Sequence, residues 1–137
     1  MAGLWLACLA AMGAGLLVDT WRTPAALLAS ECGAPGTLAQ LAWRHAALMP
    51  ASSAAMAVAA LLPWTPLQTR PTPLPGRVAC LVLMAIGMVL GARLGVQTAQ
   101  TLGAAPFTGM VLGMALGMAA GMAAALLPVA ALSAWRR

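Results

Sequence analysis

Residues 109–122 read Gly-Met-Val-Leu-Gly-Met-Ala-Leu-Gly-Met-Ala-Ala-Gly-Met. Gly109, Gly113, Gly117 and Gly121 recur at every fourth position, and Met110, Met114, Met118 and Met122 follow each of them. In a soluble helix every interior glycine costs about 1 kcal/mol relative to alanine, so such a run would undermine itself. In a bilayer no water competes for the backbone hydrogen bonds, and a small residue on each turn lets a second helix approach closely. The run therefore reads as a packing surface within a membrane helix.

Composition agrees with that setting. Of 137 residues, 63% are hydrophobic and 7% charged, and the mean hydropathy is +0.94. Soluble domains carry about 25% charged residues, so this chain has too few to solvate a globular surface. It reads as an integral membrane protein with the lipid bilayer as its first partner, forming one transmembrane domain over 1–137. The net charge of +5 includes no basic cluster larger than Arg136-Arg137. It is better read as topology information than as a nucleic-acid footprint. Cys8, Cys32 and Cys80 show no Cys-x-x-Cys spacing and give no disulfide framework.

Four apolar segments stand out, at about 2–18, 38–62, 78–96 and 107–132. A spanning helix needs about 20 residues, which puts the first at the short limit. Trp5, Trp21, Trp43, Trp64 and Trp135 all lie near segment ends, where an interfacial aromatic belt is expected. Residues 19–37 read as a loop with little periodicity, and 63–77, with five prolines, as a stiff crossover. Arg70, Arg77, Arg136 and Arg137 share one side of a four-span chain, so the positive-inside rule places both termini in the cytoplasm. The expected architecture is all-α, a four-helix bundle in the inner (cytoplasmic) membrane.

The third segment repeats the pattern of the fourth. Residues 87–95 read GMVLGARLG and residues 109–117 read GMVLGMALG. Joined by one loop, the two spans run antiparallel, and residues at equal depth have a constant index sum. Gly95 with Gly109, Gly91 with Gly113 and Gly87 with Gly117 all sum to 204. A glycine-zipper hairpin is expected, with close backbone contact along both rows; a competing arrangement sets one row against another copy.

The candidate chemistry is sparse. The methionines of the fourth span rise about 18 Å along a helix, with Met84 and Met88 at similar depth on the third. Thioethers are soft donors that select Cu(I), so a methionine ladder would hold or pass copper. Methionine is also a flexible filler beside glycine gaps, and this second reading is favoured. His45, the only histidine, forms an i, i+4 pair with Met49, and Pro50 then invites a kink. Glu31 and Cys32 would supply further ligands beside His45 only if the first loop folds over the second span. No His-Glu-x-x-His, phosphate loop, paired carboxylates or Ser-His-Asp set occurs, so no enzyme is expected. The expected role is association, as an accessory or assembly subunit of a membrane complex or as a self-associating bundle. The alternative is copper handling through His45, Met49 and the methionine ladder. No other cofactor is implied.

Overall fold

The computed structural model describes residues 2–62 and 74–135, with the side chains of residue 2 and of 128–135 left aside. Six α-helices follow one another among these residues: α1 (Ala2–Arg22), α2 (Ala25–Gly33), α3 (Leu38–Leu48), α4 (Pro50–Leu61), α5 (Leu74–Thr101) and α6 (Pro106–Trp135). Three of them, α1, α5 and α6, are long and apolar enough to cross a membrane. This is the all-helical architecture of a multi-pass membrane protein.

The second apolar segment is not one continuous helix. Proline has no N–H to donate, and its ring steers the preceding residue away from helical angles. Met49 accordingly sits at φ −126°, ψ 61°, and the segment divides into α3 and α4. Each half is too short to count alone as a span. At the head of α3, Thr37 and Gln40 form a reciprocal capping box. The Thr37 hydroxyl accepts from the Gln40 N–H, and the Gln40 side chain accepts from the Thr37 N–H at 3.0 Å. The segment expected as an irregular loop is largely helical: α1 runs on to Arg22, and α2 follows after Pro24. Of the proline-rich crossover only 74–77 lies within the described residues, as the first turn of α5.

A Schellman motif turns α5 into α6. Gly103 adopts φ +67°, the left-handed conformation that glycine enters without a Cβ penalty. The Ala104 N–H then reaches back to the Ala99 carbonyl at 2.8 Å, and the Gly103 N–H to that of Gln100 at 3.3 Å. Pro106 opens α6 where no backbone donor is needed.

The resulting hairpin is the most extensive helix contact in the molecule. Gly87 faces Gly117, Gly91 faces Gly113 and Gly95 faces Gly109, backbone to backbone. A Cβ on Gly91 would strike the Gly113 carbonyl oxygen, and one on Gly113 would strike that of Gly91. Gly121 lies against the Leu83 carbonyl in the same way. An α-carbon hydrogen directed at a facing carbonyl is a weak attractive contact, and the rows repeat it turn after turn.

Helix α1 packs chiefly on α4, through Gly15. A Cβ there would stand 2.5 Å from the Ser52 nitrogen. Helix α2 closes onto α5 and α6, with Gly33 against the Val96 side chain. The core between these layers holds Cys8, Met12, Met49, Met56, Cys80, Met84, Met88, Met110, Met114 and Met118. Leucines such as Leu6, Leu17, Leu94, Leu112 and Leu116 point outward instead. Unbranched sulfur-bearing chains fill much of the interior, beside a few branched ones such as Leu28 and Val96.

Replacing Gly91 or Gly113 with leucine drives a side chain into a facing backbone. We expect a loss of about 3 kcal/mol or more, read as a lowered unfolding midpoint in detergent. Gly13→Ala is the control, because nothing lies within 4 Å of a Cβ there; its midpoint should stay level or rise. Gly103→Ala should cost about 1 kcal/mol through backbone conformation alone, since its surroundings are also open.

Candidate functional site

Side chains from four helices meet around the break between α3 and α4. His45 occupies the last turn of α3, Met49 is the junction, and Ser52 belongs to the first turn of α4. All three are buried. The Met49 N–H still bonds the His45 carbonyl at 2.9 Å, so the two residues keep their one-turn relation across the break. The Ser52 hydroxyl donates to the Met49 carbonyl at 3.2 Å, beside the Ser53 N–H that reaches the same oxygen at 3.1 Å.

Asp19 reaches this junction from α1. Only 1% of its surface is exposed. Its two carboxylate oxygens accept from the Ala51 and Ser52 N–H groups at 3.0 and 2.9 Å. These are orphan donors at the head of α4, where Met49 offers no side-chain cap. The negative group also sits at the positive end of the helix dipole. At the other end, the buried Arg77 guanidinium donates to the Leu61 carbonyl at 3.3 Å. Helix α4 thus carries an acidic group from α1 at its head and a basic group from α5 at its foot.

Cys32 arrives from α2. Leu28, Ala29 and Cys32 form the buried face of that helix, and Leu41 and His45 that of α3. Their meeting places Cys32 Sγ 3.9 Å from His45 Nδ1, a buried contact at the outer limit of a sulfur hydrogen bond. His45 is 4% exposed, and its Nε2 is buried with no hydrogen-bond partner. Burial pushes the Cys32 thiol up to about 11, with the neighbouring Glu31 carboxylate adding to the effect, so it is protonated at neutral pH. The first connection does therefore fold over the second segment and bring Cys32 to His45, whereas Glu31 remains half-buried.

The remaining candidate residues fall into two sets. Met84, Met88, Met110, Met114 and Met118 are buried in one continuous core with Met49, while Met122 packs half-buried at its edge. Glycine and methionine rows one residue apart differ by about 100° around the helix, so α6 turns its glycines to α5 and its methionines to the interior. Among the described residues no three of His, Cys, Asp and Glu converge. A metal held here would need thioether donors as well.

On the outer side of the hairpin lies an apolar groove of about 650 Å³. Gly91, Gly95 and Gly113 help form its floor, and Leu90, Leu94, Leu112 and Leu116 flank it. The Thr98 hydroxyl on its lining is occupied by the Leu94 carbonyl at 2.8 Å. Of the tryptophans, Trp21 and Trp43 are 87% and 77% exposed, as interfacial residues would be, but Trp5 packs against the core. Trp64 and the Trp135 side chain lie outside the described residues.

Sequence reasoning passed over the capping role of Asp19 and treated Arg77 as a loop residue. One signal was present: a proline-initiated helix preceded by Met49, which has no oxygen to cap it, must borrow an acceptor from elsewhere. Asp19→Ala would strand the buried Ser52 donor at about 1–3 kcal/mol and the half-buried Ala51 donor at less, and Asp19→Asn, which keeps an acceptor oxygen, should lose less. Denaturation midpoints in detergent should therefore fall in the order native, Asn, Ala. Comparison with family models, curated proteins and solved structures finds no match to this chain.

Proposed function

We propose that the chain is a non-catalytic integral membrane protein that acts by helix association, as an accessory or assembly subunit receiving a transmembrane helix of another subunit. The groove along α5 and α6 carries this reading. Its glycine floor extends over about two helical turns, close to 12 Å at 1.5 Å per residue. Glycine rows between leucine walls suit a helix carrying small or flat side chains, because close backbone approach replaces the hydrophobic drive that lipid cannot supply. The groove offers no charged side chain, which suits a helix better than a polar ligand. Self-association through the same face is the competing arrangement.

In this reading α3 and α4 together make a fourth crossing, and α5 and α6 are its glycine-zipper hairpin. Arginines at 70, 77, 136 and 137 favour cytoplasmic termini in an inner membrane. Helix α2 lies outside the crossings and covers the ends of α3, α5 and α6.

Filling the groove tests the proposal without touching the bundle interior. Leu94 and Leu112 point outward, so Leu94→Trp and Leu112→Trp should leave the unfolding midpoint unchanged. In gentle detergent the native chain should co-purify with a partner subunit, and both variants should lose it. A native chain that elutes alone from its own membrane sinks the idea, and a native chain that elutes as a dimer transfers the groove to a second copy.

A further inference from the structure

Beyond association, we propose that Cys32 and His45, with Met49, form a site for one monovalent soft metal ion, of which Cu(I) is the biological representative. The site lies where α2 crosses the end of α3, away from the outer groove and beside the methionine core.

Geometry is the first argument. With metal–sulfur and metal–nitrogen bonds of about 2.3 and 2.0–2.1 Å, an ion bound to both donors at a separation of 3.9 Å subtends an angle of about 125°. That angle is close to trigonal and leaves one further position. Met49 is fully buried and stands one turn from His45, so its thioether is the soft donor nearest in the chain to complete the set.

The second argument is the imidazole itself. A histidine this deeply buried normally has its ring nitrogens satisfied. Here one nitrogen has only a thiol at the limit of contact, and the other has none. Hydrogen bonding does not account for the placement of this side chain, and the chain holds no other histidine.

Charge is the third. Cys32 enters the reaction as a thiol and leaves it as a bound thiolate: the S–H bond breaks, a sulfur–metal bond forms, and the proton passes to solvent. No electron is transferred. A monovalent cation with one thiolate gives a neutral centre, which an apolar interior tolerates. The soft sulfur donors select Cu(I), with Ag(I) as its laboratory mimic, over Zn²⁺.

The test uses the full chain in detergent, titrated anaerobically with Cu(I) against a competing Cu(I) chelator. One equivalent should bind, with release of about one proton. Cys32→Ser and His45→Ala should each weaken binding at least about tenfold, whereas Cys80→Ala and Met118→Leu should not. X-ray absorption at the copper edge of the loaded native chain should show one nitrogen with sulfur neighbours, a readout that stands even where a variant fails to fold. The assignment is overturned by no binding against the chelator, by a sulfur-only copper environment, by tighter binding of Zn²⁺ than of Cu(I), or by loss of the metal in Met118→Leu but not in Cys32→Ser.

Discussion

Two buried charged groups hold a short helix by its ends. The Asp19 carboxylate takes the two N–H groups at the head of α4, and the Arg77 guanidinium takes the Leu61 carbonyl at its foot. A helix that starts inside an apolar bundle exposes orphan backbone groups where no water is at hand to satisfy them. Supplying those partners from neighbouring helices allows the second apolar segment to break at Met49-Pro50 without leaving the ends of α4 bare. The break lies beside His45, Met49 and Ser52, and Cys32 of α2 closes onto His45 there. Signs are matched as well: the acidic group meets the positive end of the helix and the basic group the negative end.

The hairpin of α5 and α6 solves a different problem. Apolar side chains gain nothing by leaving lipid for one another, so helices in a bilayer hold together through close packing. Glycine provides that closeness on one face, and it also removes the volume that side chains would otherwise fill. Methionine, offset by one residue, supplies adaptable volume on the adjoining face toward the core shared with α1 and α2. The same four-residue period thus serves two faces of one helix. The outward leucines stand apart from both and border the groove.

How much of this was legible in the sequence depends on the range of the interactions. The all-helical, membrane-spanning class follows from hydropathy over windows longer than a helix turn, and α1, α5 and α6 were visible for that reason. The division of the second segment was only half visible. Pro50 announces a disturbance, but the full break depends on Asp19, more than thirty residues earlier. Asp19 itself resisted reading because its partners are backbone N–H groups, and no side-chain complement marks them in the chain. Residues 19–37 seemed irregular since α2 buries only Leu28, Ala29 and Cys32, too short a stripe to display a period. The His45–Met49 pair was evident from local spacing. Its approach to Cys32 was not, because that depends on how α2 is laid across α3.

The two ends of α4 are served by helices made at different times. Its head relies on α1, which leaves the ribosome before it, and its foot relies on α5, which leaves after it. On entering the membrane, α4 would find its acidic partner already waiting, while its terminal carbonyl would go unserved until Arg77 emerged. The charge pattern therefore imposes a direction on biogenesis. A rearrangement of the gene that placed α5 and α6 together ahead of α1 would let α4 find both partners already in the membrane, and the wait for Arg77 would vanish.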